Sequence, residues 1–146
     1  MKKAVIIILI LGMGIQFIPV PKNQSDEVPK SDFLRAIEAP ITIKKMIKAS
    51  CYDCHSNNTN YPWYGRVRPF VWLLQKHIDE GKEELNFSTF QEYSGRMQRE
   101  KVRSMISQIR DDEMPLKEYL WMHPESEMSD GEKAQLVEYL EELNTQ

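Results

Sequence analysis

The stretch CYDCH at residues 51–55 decides the fold of this chain. Two cysteines three residues apart, followed directly by a histidine, form the C-x-x-C-H sequence that attaches a c-type haem. Each thiol can add to a vinyl group of the haem, and the imidazole of His55 then lies under the iron. Cys51 and Cys54 are the two cysteines of the chain, so neither is left for a disulfide. The motif predicts one covalently attached haem c with His55 as the proximal iron ligand.

Two other chemistries also use paired cysteines. A thioredoxin-like dithiol expects strand–helix–strand alternation, and no alternating strand pattern occurs in this sequence. A structural zinc site needs four ligands. The remaining histidines after the motif, His77 and His123, lie at spacings that form no second pair. A chance occurrence is less expected in a chain whose only cysteines are those of the motif.

The N-terminal residues 1–20 are typical of a targeting segment. Lys2 and Lys3 precede an apolar run over residues 4–20, which predicts that the rest of the chain crosses the cytoplasmic (inner) membrane. No small-x-small cleavage site follows the run, so an uncleaved anchor is favoured over a cleaved signal peptide. Residues 21–30 are polar and flanked by prolines, which predicts a linker, and residues 31–146 form the domain. The domain is then anchored on the periplasmic side, or soluble in the periplasm if the leader is cleaved.

The apolar spacing after the linker follows the helical period. It predicts helices over residues 31–38, 41–49, 71–80 and 96–110, with the third ending near Gly81. Ser129 and Glu132 match a capping box that opens a last helix. The fold class is therefore all-α, a bundle of short helices and long loops around one haem.

The net charge is −3 and becomes more negative without Lys2 and Lys3. Nucleic acid is thus an unexpected partner, and a redox partner protein with a basic docking patch is favoured. The acidic run at residues 111–113 is either a solvated face or part of such a docking surface.

The motifs together resemble the bacterial haem-binding domain family of exported, cytochrome c-like proteins. They are CYDCHSNNTNYPWY (51–64), WLLQKHIDEGK (72–82), LNFS (85–88), MPLKEYLWMHP (114–124) and LVEYL (136–140). The resemblance covers about residues 35–145 and implies a cytochrome c-like fold with covalent haem.

The sixth iron ligand is predicted to be Met114. It precedes Pro115 in a loop far along the chain from His55, as the distal methionine does in small c-type cytochromes. His77 and His123 are the alternatives, together with an open iron site. Methionine–histidine ligation raises the potential, whereas two histidines or an open site favour low-potential transfer or ligand binding.

The haem pocket wall is predicted to contain aromatic rings of the loop after the motif and the helix that follows it: Tyr61, Trp63, Tyr64 and Trp72. Arg66 and Arg68 are candidates for pairing with the haem propionates. A backbone carbonyl near Pro62 or Pro69 is a candidate acceptor for the second ring nitrogen of His55.

A single-electron carrier outside the cytoplasm is the function that these features favour. The alternative is a haem-based sensor or ligand-binding module with an open or displaceable sixth site. The chain is not expected to be an enzyme, although an open distal face with His77 near it would allow peroxidase activity.

Overall fold

The computed structural model describes residues 1–25 and 27–145, and these residues contain eight α-helices. No strand occurs among these residues, so the prediction of an all-α fold is confirmed. Short 3₁₀ turns lie at Ile15–Phe17, Trp63–Arg66, Phe87–Glu92 and Pro124–Ser126. The helices are α1 Lys2–Gly14, α2 Phe33–Ala36, α3 Ile41–Ser50, α4 Tyr52–His55, α5 Phe70–Glu84, α6 Gly95–Arg110, α7 Lys117–Leu120 and α8 Asp130–Thr145.

The core lies where α6 packs along α8 and α3 closes against α8. The apolar residues that the sequence places on one face of α6 are buried as predicted: Val102, Met105, Ile106 and Ile109. The rings of Phe33, Phe87 and Phe90 also pack together in the core, and the ring centroids of Phe33 and Phe90 are 4.7 Å apart. The other buried helix positions are Ile43 and Ile47 of α3 and Leu136, Val137 and Leu140 of α8.

Helix α5 packs closely against α4 at Gly81, the position where the sequence predicts the end of the helix. The helix continues to Glu84, so the predicted end is wrong. A Cβ atom at Gly81 would lie 2.9 Å from the carbonyl oxygen of Cys54, closer than real Cβ contacts. Glycine at this position lets the backbone of α4 approach α5 directly. Gly81 is therefore a packing residue inside the helix.

The N-terminal helix α1 is apolar on all sides, and all its residues are exposed. Among residues 1–25 and 27–145, no helix is both long and apolar enough to cross a membrane. The 3₁₀ turn after α1 contacts the domain through Gln16. Its side-chain amide donates to the carbonyl oxygen of Arg68 (3.1 Å) and accepts from the Arg68 N–H (3.0 Å).

The segment 21–30, for which the sequence predicts a linker, is held to the domain at Asn23. The Asn23 amide nitrogen donates to the carbonyl oxygen of Ser56 and to the hydroxyl of Thr59. Its amide oxygen accepts from the ammonium group of Lys82 at 2.6 Å. Asp26 lies outside the described residues. This segment thus joins α1 to the turn that follows the cysteine motif.

Candidate functional site

A cavity of about 710 Å³ opens beside the cysteine motif. Cys51 and His55 line it on one side, and the segment that begins at Leu85 continues that wall. The opposite wall is α6, and Met114 reaches the cavity from the loop after α6. The structure therefore brings three of the predicted site residues, Cys51, His55 and Met114, to one space. The wall also contains Glu84, Phe87, Ser94, Arg96, Met97, Glu100, Lys101, Ser104, Met105, Gln108 and Ile109.

His55 ends the single turn of α4, whose N–H groups bond back to Cys51. Its Nδ1 lies 3.0 Å from the carbonyl oxygen of Leu85 and donates to it, which leaves Nε2 as the ring nitrogen with a free lone pair. Burial lowers the pKa of His55, and the carbonyl contacts and Glu84 offset this in part. A neutral imidazole with a fixed tautomer is suited to bind a metal. The acceptor is thus Leu85, not a carbonyl near Pro62 or Pro69.

The two cysteines are free thiols that the fold partly covers. Burial, followed by the charge of Cys54, raises the pKa of Cys51 to about 12. Burial, followed by the charge of Asp53, raises the pKa of Cys54 to about 11. Both thiols are therefore protonated at neutral pH, unlike the activated thiolate of a dithiol redox enzyme. Among the described residues, no group of three or more histidine, cysteine or acidic side chains is placed to hold a metal ion, as a zinc site would need.

Met114 is placed by the turn that ends α6. Asp112 has a left-handed backbone with φ of 55°, and its N–H bonds to the carbonyl of Ile109. The N–H groups of Glu113 and Met114 both donate to the carbonyl oxygen of Gln108, at 3.0 and 3.2 Å. This is the Schellman arrangement with aspartate at the position that glycine usually occupies. It reverses the chain, so that Met114 lines the cavity beside α6.

The two alternative histidine ligands lie elsewhere. His77 is not among the residues that line the cavity, and its Nδ1 lies 3.9 Å from a carboxylate oxygen of Glu80. His123 is buried with both ring nitrogens engaged. Its Nε2 lies 2.6 Å from the hydroxyl oxygen of Tyr64, and its Nδ1 lies 3.1 Å from a carboxylate oxygen of Glu125. Neither histidine reaches the space that His55 and Met114 share.

The structure does not bring the predicted aromatic wall to the cavity. Tyr61 lies against Gly65, and its hydroxyl accepts from the N–H of Asn23 and donates to Gln75. Trp63 is 74% exposed, and Trp72 also lies at the surface. The reason is that the loop after the motif packs against α5, whereas the cavity lies between the motif and α6. Arg66 and Arg68 belong to this same loop and are likewise absent from the cavity wall.

Residues of α6 that sequence analysis missed form the opposite wall. Met97, Lys101, Ser104 and Gln108 follow one another at spacings of three or four, beside the buried apolar stripe of α6. The spacing of these four residues is visible in the sequence. Because the set mixes polar and apolar side chains, it resembles an ordinary solvent-exposed helix face. The cations that line the cavity are on this helix as well, Arg96 and Lys101.

A hydrogen-bonded brace holds the motif from outside the cavity. The hydroxyl of Tyr119 donates to a carboxylate oxygen of Asp53 at 2.9 Å, and the other oxygen of Asp53 accepts from the Asn60 N–H. The ring of Tyr119 stacks on His123, with centroids 4.2 Å apart. The middle of the C-x-x-C-H motif is thus fixed by α7.

A family model described as a haem-binding domain matches residues 10–142. The chain belongs to this haem-binding domain family. The comparisons with curated proteins and with solved structures gave no match. Membership supports haem as the cofactor, and it confirms the resemblance drawn from the motifs.

The size and lining of this cavity suit such a cofactor, although of the two motif cysteines Cys51 lines it and Cys54 does not. Its volume of about 710 Å³ lies in the range of cofactor sites. The wall combines apolar side chains such as Phe87 and Ile109 with a metal-competent imidazole and two cations of α6. Apolar walls suit a porphyrin face, and cations suit its carboxylates.

Proposed function

We propose that this haem-binding domain is a mono-haem c-type electron carrier that works outside the cytoplasm. Haem, when bound, supplies an iron that gains and loses single electrons. The observation that supports the proposal most strongly is that Cys51, His55 and Met114 line one cavity, although Met114 lies far along the chain from the motif.

The chain's own residues divide the work of such a site. Cys51 and Cys54 would form the thioether bonds, and His55 would bind the iron through Nε2 while Leu85 fixes its tautomer. Met114 would bind the iron through its thioether sulfur, a ligand that favours the reduced state. Arg96 and Lys101 would neutralise the propionates.

The partner of this carrier is expected to be a redox protein with a basic docking patch. Asp111, Asp112 and Glu113 are exposed and directly precede Met114 in the chain. Asp112 is ion-paired with Lys133, so Asp111 and Glu113 carry the negative charge that would steer a cationic partner to that edge. The docking face then lies at the end of α6.

The location proposed is the periplasmic side of the cytoplasmic membrane, with the N-terminal segment as anchor or signal. The supporting features are the lysine pair Lys2 and Lys3 and the exposed apolar surface of α1.

A displaceable sixth ligand is the alternative, and one observation favours it. Met114 also lines a second cavity of about 430 Å³ on its other side, between the loop after α6 and α7. The Met114 side chain thus borders a second space that it could occupy, as the displaceable ligand of a ligand-binding sensor would need. We propose no enzymatic function. Among the described residues that line the main cavity, His55 is the single histidine, so a distal histidine of the kind that serves peroxidases is not found there.

The test is an optical spectrum of the protein made in cells that mature c-type haem, oxidised and reduced, with carbon monoxide added to the reduced form. A c-type spectrum that carbon monoxide leaves unchanged supports the carrier. Loss of attached haem after substitution of Cys51 and Cys54 by alanine is expected, and normal haem attachment would refute the proposal.

Two methionine variants then test the sixth ligand. Met114→Ala should remove the sulfur-to-iron charge-transfer band and admit carbon monoxide. Met97→Ala is the matched control, because Met97 lines the same cavity without a predicted contact to iron. If the band survives in Met114→Ala, another residue is the ligand. A wild-type protein that already binds carbon monoxide would favour the sensor.

A further inference from the structure

The loop before α5 and the start of α5 present a cluster of large apolar side chains to solvent. Phe70 and Leu73 are each 57% exposed, and Trp63 of the preceding 3₁₀ turn is 74% exposed. Phe70 and Leu73 lie three residues apart on α5, while Val71, Leu74 and Ile78 face the protein. We call Trp63, Val67, Phe70 and Leu73 the apolar rim.

The end of α1 is hydrogen-bonded to the segment that carries the apolar rim. The Gln16 amide makes a two-point contact with the backbone of Arg68, and the Arg68 guanidinium donates to the carbonyl oxygen of Ile18 at 2.5 Å. Arg68 lies between Val67 and Phe70 of the rim, and the next residue after Gln16 is Phe17, which is also exposed. These contacts fix the end of α1 against the rim.

A lipid surface is the occupant that this arrangement fits. A helix that is apolar on all sides, as α1 is, needs an apolar medium around it. The rim extends the same apolar surface onto the folded domain. Arg66 and Arg68 lie in the same segment as the rim residues, and the mixture of tryptophan with arginine is typical of protein at the level of lipid headgroups.

We infer that the apolar rim lies in the interfacial layer of the bilayer that α1 enters, so that the domain is seated on the membrane in one orientation. This inference rests on the membrane attachment in the proposed function and adds a second contact to it. The Gln16–Arg68 contact keeps the domain from swinging about the end of α1. The rim anchors the start of α5 at the lipid surface.

The experiment uses the full, haem-loaded chain in vesicles of phosphatidylethanolamine and phosphatidylglycerol that contain a lipid with a photoactivatable diazirine in its acyl chain. Mass spectrometry then locates the carbene adducts. Label is expected in α1 and in the peptides that carry Trp63, Phe70 and Leu73. Trp121 is the internal control, because it is 91% exposed and lies outside the rim, and it should carry several-fold less label.

A double variant, Phe70→Ser with Leu73→Ser, should lower labelling of the rim several-fold and leave labelling of α1 unchanged. Trp121→Ser is the matched control and should change neither. The haem spectrum verifies that each variant is folded. Label in α1 but no more in the rim than at Trp121 overturns the inference and leaves the anchor standing. No label in either overturns membrane attachment itself.

Discussion

Gly81→Ala tests the close contact between α4 and α5 that holds the cysteine motif. Alanine in the middle of a helix is favoured over glycine by about 1 kcal/mol. Against this, the new Cβ would lie 2.9 Å from the carbonyl oxygen of Cys54 and 3.4 Å from its Cβ. Both atoms belong to a braced turn, so the helices must separate, and overpacking of this kind costs about 1–3 kcal/mol. We expect a net loss of about 1 kcal/mol.

Gly131→Ala is the matched control. Gly131 also lies in a helix, α8, and a Cβ there would meet nothing within 4 Å. This variant should be unchanged or gain up to about 1 kcal/mol. The free energies of unfolding of the two variants should therefore differ by about 1–2 kcal/mol, which corresponds to about 2–8 °C in melting temperature for a chain of this size.

The assay is urea unfolding of the haem-loaded protein followed by far-ultraviolet circular dichroism, with the haem spectrum recorded in parallel. Because Gly81 lies four residues before Leu85, separation of the helices should also disturb the hydrogen bond to His55 and shift the haem bands. If Gly81→Ala is as stable as Gly131→Ala and its spectrum is unchanged, the tight packing of α4 on α5 is refuted.

Three further substitutions probe the supports of the site by the same unfolding assay. Tyr119→Phe removes the hydroxyl that donates to Asp53 and should cost about 1–3 kcal/mol, because the acceptor is charged. Ser129→Ala removes the cap of α8, whose oxygen accepts from the Glu132 N–H, and should cost about 1 kcal/mol. Asn23→Ala breaks three side-chain hydrogen bonds and should cost about 1–3 kcal/mol.

Matched variants separate these effects from loss of the side chain alone. Tyr139→Phe controls for Tyr119, since its hydroxyl has no hydrogen-bond partner among the described residues. Asn60→Ala controls for Asn23, because Asn60 takes part through its backbone N–H. Tyr119→Phe and Asn23→Ala should each be less stable than the control variant, and equal stability within a pair would contradict the assigned contact.

Local patterns predicted α3, α5, α6 and α8 because each of these helices buries apolar residues along one face. The stripe of Val102, Met105, Ile106 and Ile109 is buried as its spacing predicts. The C-x-x-C-H motif carries its own local chemistry, and the haem-binding family that it indicated is confirmed. Information of this kind lies within a few neighbouring residues.

Contacts between segments that are distant in the chain could not be predicted from such local patterns. The acceptor for His55 is Leu85, thirty positions away in the chain, and nothing in the composition of residues 83–87 marks it. Which residues of α6 line the cavity depends on the face that α6 turns toward the motif. That face is known only from the folded structure. Aromatic residues close to the motif in sequence, such as the exposed Trp63, lie outside the cavity wall because their loop packs against α5.

The length of helix α5 separates the apolar rim from the imidazole of His55. Its first residue, Phe70, belongs to the apolar rim, and Leu85, the residue after its end, holds the imidazole of His55. Fifteen residues of α-helix span about 22 Å. In the seating inferred above, α5 limits how far the imidazole can stand from the lipid surface. With that proposed seating, an encounter with a partner in the same membrane would be a two-dimensional search at matched height, with lateral diffusion in place of diffusion through solvent.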